Sequence, residues 1–346
     1  MPRTDSSKKR VRREDVAREA GVSSATVSYV VNGTKRLSPE VEQRVWDAVH
    51  KLNYKPDYIA RSLAGSDSRT IALMTADIAN VYQLEVIKGL QAEALKHDYV
   101  IIIFDASGDA SKYVDRLIAQ RVDGIFLTTA PDFMSDELLT MLVEADIEVL
   151  TDFSRSTFLP EVSYVMSDHY DGFMQAVQHL RELGHMNIGY LSAFDDSCYY
   201  DVRLNAFRMA MDKQMKESNP PVVCGTAPYN TSEELGYSLM QEMMEKNPDV
   251  TAVIATNDIM AIGAMRAIRE AGKRVPQDYS VVGIDNVEKS ATCTPPLTTV
   301  DQDGRTYGAK VFHILYDNIR KHAPGKFIIP MRLVRRESTG PVAVKG

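Results

Sequence analysis

Several acidic and amide residues of this sequence come at the ends of short apolar stretches that are typical of buried β-strands. The residues are Asp77, Asp152, Asn257, Asp258 and Asp285. Carboxylate and amide groups form planar, paired hydrogen bonds with neighbouring hydroxyl groups. These residue types therefore predict a binding site for a small polar molecule. A neutral polyol such as a sugar satisfies this chemistry, and so does a nucleobase or a nucleoside.

The same residues also have a structural interpretation, because Asp and Asn cap the N-termini of helices. Asp258 stands directly before the apolar segment IMAIGAM and is the clearest example. For each aspartate taken alone, helix capping and ligand binding are equally good interpretations.

The elements that would position these residues are alternating strands and helices that begin after Thr70. Strands are predicted over residues 71–76, 99–106, 123–129, 148–153, 187–193, 222–226, 252–258 and 279–285. Helices are predicted over residues 83–97, 110–120, 136–145, 172–183, 203–217, 232–246 and 259–271. Two runs of β-α units predict an α/β protein with two doubly wound parallel sheets. Ligands of such sheets bind beyond the carboxyl ends of the strands, so two facing edges would form a cleft.

The N-terminal residues 11–33 predict two short helices that meet at a sharp turn. Gly21 is suited to end the first helix, and Ser23 is suited to cap a second helix that starts at Ser24. Apolar residues recur at helical spacing on the inner faces: Val16, Ala17, Ala20, Val27, Val30 and Val31. The pattern predicts a helix-turn-helix, whose second helix fits the major groove of DNA, or otherwise an ordinary helical hairpin.

A third helix is predicted from Pro39, with Ser38 as its cap and an apolar stripe that covers the first two helices. We expect Trp46, the only tryptophan, to pack in this core, with a position near the DNA backbone as the alternative. Residues 57–65 follow and predict a helix of two turns. Because a helix of this length is marginal in water, we expect it to form only when a partner holds it.

The charge of the chain is unevenly distributed. Residues 1–69 contain 14 Lys/Arg and 9 Asp/Glu, a balance of +5, whereas the whole chain of 346 residues carries −7 and the remainder therefore −12. A basic head on an acidic body suits a head that contacts phosphates, although a solvated charge run would look the same. The length allows two or three domains.

Several classes of protein are disfavoured by what the sequence contains. Cys198, Cys224 and Cys293 are scattered without a CxxC pair, which indicates reduced thiols and neither a metal site nor a cofactor. A basic N-terminus without an apolar segment, and the lack of a membrane-length apolar run, predict a cytoplasmic protein with no membrane partner. No GxxxxGK[ST] loop and no GxGxxG after the first strand are present, which argues against a sugar kinase or a dehydrogenase and favours a protein that is not an enzyme.

Specific segments carry a resemblance to a known family. The stretch EDVAREAGVSSATVSYVVNG, the NYKP turn and IARSLAG resemble the DNA-binding head of the lactose/galactose repressor (LacI/GalR) family. VDGIFLTT, LGHMNIGYLSA, RLNAF, ATNDIMAIGAM and TPPLTTVDQD resemble its effector domain, which is itself similar to periplasmic sugar-binding proteins of type I. The resemblance covers nearly the whole chain.

The resemblance implies which residues contact DNA. They are Ser24, Ala25, Thr26, Ser28, Tyr29, Asn32, Ala60 and Leu63. Ser24, Ala25 and Tyr29 would reach base edges, whereas Thr26, Ser28 and Asn32 would touch phosphates. The segment after the NYKP turn would be a hinge helix that folds on operator DNA and places Leu63 in the minor groove.

The resemblance likewise implies a set of effector-binding residues. They are Asp77, Tyr82, Gln83, Asp152, Arg203, Tyr229, Asn257, Asp258, Asp285 and Gln302. Arg203 would supply a rigid fork of donors, and the two tyrosines would stack on the apolar face of a ring. The family often has DISNPFF where this chain has DIANVYQ, so the ligand of a given relative does not transfer.

The sequence as a whole predicts a ligand-responsive transcriptional regulator that binds a palindromic operator as a homodimer. The favoured interpretation is a repressor of carbohydrate-utilisation genes. The alternatives are a purine- or nucleoside-responsive regulator of the same family and a cytosolic sugar-binding protein. The expected domains are a head over residues 1–56, a hinge over 57–69 and an effector domain over 70–346. Within it, one subdomain would span about 70–165 and 302–331, and the other about 166–300 and 332–340.

Overall fold

The computed structural model describes residues 11–32, 35–54, 68–75, 77–106, 109–128, 133–152, 159–194, 201–225 and 231–342. The chain divides into two compact units, Met1–Ser68 and Arg69–Gly346. The predicted hinge helix with Ala60 and Leu63, the side chain of Asn32, and Tyr229 lie outside the described residues.

The first unit is a helix-turn-helix closed by a third helix, as the sequence predicts. Its helices are α1 (Arg13–Ala20), α2 (Ser24–Asn32) and α3 (Pro39–Lys51). Gly21 ends α1 at φ 63°, a left-handed conformation that favours glycine. The core residues are Val16, Ala17, Ala20, Val27, Val30, Val45, Ala48 and Val49.

Arg44 ties α3 to the turn between α1 and α2. Its Nε and Nη2 donate to the carbonyl of Ala20 at 3.1 and 2.8 Å, and Nη2 also donates to the carbonyl of Gly21 at 3.1 Å. The guanidinium thereby satisfies carbonyls that the end of α1 leaves unpaired. The prediction that Trp46 packs in this core is wrong, because its side chain is 40% exposed and lies outside the buried cluster.

The second unit contains two six-stranded sheets, which confirms the predicted fold class. The strands are β1 (Thr70–Thr75), β2 (Val100–Asp105), β3 (Gly124–Thr128), β4 (Glu148–Thr151), β5 (Ser163–Ser167), β6 (Ile188–Ser192), β7 (Val222–Cys224), β8 (Ala252–Ala255), β9 (Ser280–Ile284), β10 (Thr298–Asp301), β11 (Lys326–Ile329) and β12 (Arg332–Val334). The first sheet has the order β11-β5-β4-β3-β1-β2 and is parallel throughout. The second has the order β12-β10-β9-β8-β6-β7, with β12 antiparallel at its edge.

Helices cover both faces of these sheets. They are α4 (Val81–Lys96), α5 (Ala110–Gln120), α6 (Asp136–Glu144), α7 (His169–Glu182), α8 (Val202–Met215), α9 (Glu233–Lys246), α10 (Asp258–Glu270), α11 (Glu288–Thr292) and α12 (Gly304–Lys321). Buried apolar side chains form two clusters around each sheet. None of the helices in the described part of the chain is both long and apolar enough to cross a membrane.

The chain passes three times between the two sheets. It leaves β5 for α7 at Asp168, leaves β10 for α12 near Gln302, and runs from β11 to β12. No predicted element corresponds to β5, to the strands after residue 285, or to α12. β11 and β12 are edge strands of three or four residues whose pairing partners lie far away in sequence, so local periodicity carries little signal for them.

Candidate functional site: a cleft centred on Arg203

Arg203 and Asp285 form a buried ion pair at the carboxyl edge of the second sheet. Arg203 is the second residue of α8, and Asp285 directly follows β9. Nη2 of Arg203 lies 3.3 Å from Oδ1 of Asp285, and the two side chains are 16% and 5% exposed. Nη1 of Arg203 donates to the carbonyl of Thr256. The charge of Arg203 is therefore matched within the protein.

Asp285 is held in place by its backbone as well as by its partners. Its φ of 108° lies in a region that favours glycine, and such a conformation costs about 1–3 kcal/mol. Nε2 of Gln302 donates to its Oδ1 at 2.5 Å. Burial raises the pKa of Asp285, and the positive charge of Arg203 lowers it. Gln302 therefore orients the carboxylate from the point where the chain crosses between sheets.

Tyr82, Asp152 and His169 approach the same guanidinium from the first sheet. The charge of Arg203 acts on the pKa of each of these three groups. Tyr82 sits in the first turn of α4, which Asn80 caps, and its hydroxyl is hydrogen-bonded to Ser167. Burial, and to a smaller extent the negative charge of Asp285, raise the pKa of Tyr82 well above its usual value. Groups from both sheets thus converge on Arg203, as the cleft hypothesis requires.

Asp152 stands between ionised and neutral at physiological pH. Burial raises its pKa to about 7, although hydrogen bonds from the Thr128 hydroxyl and from its own backbone amide oppose that rise. The charge of Arg203 opposes it further. Asp152 can therefore accept or donate a hydrogen bond to a ligand with little cost in protonation.

We expect Asp152→Asn to raise the melting temperature of the free protein at about pH 8 and to have little effect at about pH 4. The pKa of a carboxyl in the unfolded chain is near 4, so between about pH 4 and pH 7 only the folded state keeps the proton. The stability that this proton confers is present below pH 4 and is lost as the pH rises through 7. Asparagine avoids that loss. Each kcal/mol of unfolding free energy that is retained raises the melting temperature by about 2–4 °C.

The measurement is thermal unfolding of both proteins at several pH values. Asp317→Asn, in an exposed pair with Lys321, serves as the control and should show no such trend. A melting-temperature difference for Asp152→Asn that stays constant with pH would contradict a raised pKa.

Asp77 closely follows β1, and Gln83 lies in the first turn of α4. Nε2 of Gln83 donates to the Thr128 hydroxyl at 2.8 Å, whereas its Oε1 is buried and has no hydrogen-bond partner among the described residues. Asp77 accepts from the amide of Ala79 at 2.9 Å and shapes the turn before α4. Gln83 is therefore available to a ligand through its carbonyl oxygen.

The side chains of Asn257 and Asp258 form hydrogen bonds within the protein, which favours the structural interpretation of this pair. Asn257, and not Asp258, caps α10, because its Oδ1 accepts from the amide of Met260 at 3.0 Å. Asp258 is fully buried, and its two carboxylate oxygens accept from the Thr299 hydroxyl and from the amide of Val287. Its carboxylate is thus engaged within the second sheet. The predicted strand over residues 252–258 accordingly ends earlier, at Ala255.

Two further polar residues belong to this region and were not among the predicted ligand-binding residues. Asp201 is buried, accepts from the Ser192 hydroxyl at 2.8 Å, and caps α8 through the amides of Arg203 and Leu204. His169 begins α7, and no local pattern distinguishes it from other residues that follow a helix cap.

Helix α2, which the sequence predicts to enter the major groove, presents a small polar face. Ala25 and Tyr29 are exposed, whereas Ser24, Thr26 and Ser28 are half-buried. Ser23 caps the helix by accepting from the amide of Thr26 at 3.1 Å. The ammonium group of Lys35 lies 5.7 Å from the centre of the Tyr29 ring. This face has the size and chemistry of a surface that enters the major groove.

Both structural units of the chain match known protein families. Residues 14–57 match the bacterial regulatory proteins of the lacI family, and residues 177–339 match the periplasmic binding protein-like domain. The HTH-type transcriptional repressor PurR of Aliivibrio salmonicida is 33% identical over 322 residues, which cover 89% of this chain and 92% of the relative. The chain belongs to the LacI family. PurR of Mannheimia succiniciproducens is 33% identical over 95% of this chain and 99% of its own.

Solved structures of LacI-family proteins share the fold. The Lac repressor dimer bound to operator and the anti-inducer ONPF has a TM-score of 0.81 and 31% identity, and covers 96% of this chain and 100% of its own. The complex of the regulator CelR with cellobiose has a TM-score of 0.69 and 29% identity over 95% of this chain and 100% of its own. This LacI-family protein is a DNA-binding transcriptional repressor.

Proposed function

We propose that this LacI-family repressor binds its operator as a homodimer, and that an uncharged small molecule in the Arg203 cleft controls operator affinity. The observation that carries the proposal is the convergence of polar groups from two sheets on the Arg203–Asp285 pair. A ligand bound there contacts both halves of the effector unit. Its affinity therefore depends on how the halves are closed, which is the requirement for coupling a ligand to a conformational change.

The charges of the described cleft residues favour an uncharged effector. Asp285 matches the charge of Arg203, and burial keeps His169 neutral. Asp152 carries at most one negative charge. Because these residues leave no unmatched cation, they provide nothing to compensate a phosphate group.

We propose a purine base or nucleoside as the effector, which is the second interpretation that the sequence offers. The name of the PurR relatives supports it, and so does a cleft that combines donors and acceptors with the ring of Tyr82. An unphosphorylated sugar is the second candidate. It is favoured by the similar regulators whose structures contain cellobiose, in CelR, or ribose, in a protein of Enterococcus faecium.

The homodimer is supported by an apolar surface at the edge of the first sheet. Leu84 and Leu95 are exposed on one face of α4, with Leu95 75% exposed. Val100 and Ile103 are exposed on the neighbouring edge strand β2. Exposed apolar groups gathered beside an open strand favour burial against a second copy of the chain.

A ligand screen with charge-matched pairs tests the effector class. Thermal unfolding is measured with adenine, guanine, hypoxanthine, adenosine, ribose and cellobiose, each beside a phosphorylated counterpart where one exists. We expect an uncharged compound to raise the melting temperature and its phosphorylated form to have less effect. Compounds that bind are then added to a gel shift with an operator selected from random DNA. Tighter binding of the phosphorylated forms would overturn the proposal.

We expect Tyr29→Ala to lower operator affinity by about 10–100-fold, in line with the loss of one good base contact worth about 1–3 kcal/mol. The Tyr29 side chain is exposed and lies outside the core of the first unit, so the head should stay folded. Gel shifts against the selected operator measure the effect, with Gln43→Ala on the exposed face of α3 as the control. Equal affinity of the Tyr29→Ala and Gln43→Ala variants would remove Tyr29 from the interface.

A further inference from the structure

His169 occupies the point where the chain passes from the first sheet to the helices of the second. It is the first residue of α7 and lies two positions after the end of β5. Its Nδ1 is inaccessible to solvent and has no hydrogen-bond partner among the described residues. Buried polar atoms in native proteins are nearly always paired, so an exception requires a physical reason.

The imidazole of His169 is electrically neutral at physiological pH. Burial, and to a smaller extent the positive charge of Arg203, lower its pKa to about 3. A neutral imidazole has one nitrogen that donates and one that accepts, and the two tautomers exchange these roles. Nδ1 can therefore match either a donor or an acceptor on a bound molecule.

Gln83 supplies a second buried atom, its Oε1, for which no described residue provides a hydrogen-bond partner. The orientation of its amide is set by a relay, because Nε2 donates to the Thr128 hydroxyl and that hydroxyl bonds to Asp152. The amide oxygen is thus left as a fixed acceptor. His169 begins α7 after β5, and Gln83 lies in the first turn of α4 after β1. Thr128 links Gln83 to Asp152, and the charge of Arg203 acts on His169.

We propose that His169 determines effector specificity by a direct hydrogen bond from the effector to Nδ1, with Gln83 Oε1 accepting a second hydrogen bond. The inference rests on the proposed function, in which the cleft binds an uncharged molecule. Such a molecule carries an N–H or O–H group for Gln83 and another polar atom for His169. The edge of a purine base has this pattern, and so does a pair of vicinal hydroxyls.

Three substitutions distinguish this role from simple space filling. His169→Asn can place an amide atom near the position of Nδ1, His169→Gln extends its amide toward the position of Nε2, and His169→Leu fills the space without a polar atom. Tyr170→Leu, at the neighbouring exposed position of α7, is the matched control. Each protein is melted alone and with the compounds of the screen described above.

The free proteins give a result that needs no ligand. Removing an unpaired buried atom relieves a cost of desolvation, so we expect His169→Leu to melt at the wild-type temperature or a few degrees above it. A clear decrease in melting temperature would mean that Nδ1 has a structural partner, and would overturn the inference.

Ligand binding gives the second result. For a compound that binds the wild type, we expect His169→Leu and His169→Gln to weaken affinity by at least about tenfold. We expect His169→Asn to stay within about threefold, and Tyr170→Leu to bind as the wild type does. Wild-type affinity in His169→Leu would overturn the inference while leaving the proposed function intact.

The two proposals fail in distinguishable ways. If no compound of the screen shifts the wild type, the proposed effector class is wrong. The melting temperature of the free His169→Leu protein still tests the inference, because a value equal to or above that of the wild type supports an unpaired Nδ1 and a clear decrease rejects it.

Discussion

Arg203→Leu is expected to abolish the response of the melting temperature to effector and to lower the free energy of unfolding by about 3–5 kcal/mol. The large effect follows because the substitution leaves the buried Asp285 carboxylate without its cationic partner. Asp285 is 5% exposed and lies 3.3 Å from the guanidinium, so its charge would be buried without a partner. Arg203 also interacts electrostatically with Tyr82 and Asp152, so binding should fail together with stability.

A double variant separates these two effects. Arg203→Leu combined with Asp285→Asn removes both charges, and an asparagine oxygen can still accept from Gln302. We expect this double variant to recover most of the lost stability in denaturant unfolding but not the effector response. Recovery of both would show that Arg203 acts through folding alone.

The matched control is an exposed pair of the same chemistry. Nε of Arg274 lies 3.2 Å from Oδ2 of Asp278, with the arginine side chain 71% exposed. Arg274→Leu is expected to change the stability little and to leave the effector response unchanged, because water screens exposed ion pairs.

Gly308→Ala is expected to lower the melting temperature substantially, by about 2–4 °C for each kcal/mol of strain. An added Cβ would lie 2.0 Å from the carbonyl oxygen of Val86 and 2.8 Å from the amide nitrogen of Leu90, both on α4. These are backbone atoms, so no side-chain movement relieves the clash and α4 and α12 would have to separate. Overpacking of this kind costs about 1–3 kcal/mol or more, which exceeds the helix propensity of about 1 kcal/mol that alanine gains over glycine.

Thermal unfolding of Gly308→Ala beside Lys310→Ala measures this effect. Lys310 is exposed on the same helix, so its replacement should change the melting temperature little. A Gly308→Ala protein as stable as the wild type would show that the two helices are less closely packed than described.

The helix-turn-helix illustrates what local sequence predicts well. The glycine that ends α1, the serine that caps α2 and the valines at helical spacing all act within a few residues of one another. Trp46 shows the limit of that reasoning. A large apolar residue on a helix suggests burial, but only the packing of α3 on its neighbours determines which face it occupies.

The ligand set shows the same limit more sharply. The sequence placed Asp77, Asp152 and Asp285 near strand ends, and the structure places Asp152 and Asp285 around Arg203. Asn257 and Asp258 have the same residue types at an equivalent position, yet capping and internal hydrogen bonds occupy their oxygens. Residue type and strand position do not reveal which oxygens are already bonded.

The sequence by itself determined the α/β class, the helix-turn-helix and, through family resemblance, the role as a DNA-binding repressor, because short-range periodicity, turn residues and family motifs encode them. Only the tertiary structure decided that Arg203 pairs with Asp285 and that hydrogen bonds within the protein occupy the Asp258 carboxylate. It also decided that Nδ1 of His169 and Oε1 of Gln83 have no hydrogen-bond partner in the part of the chain that the structure describes. These properties depend on burial and on contacts between residues as much as 82 positions apart. Desolvation and long-range pairing set the chemistry of the cleft, and neither is encoded in any local stretch of the chain.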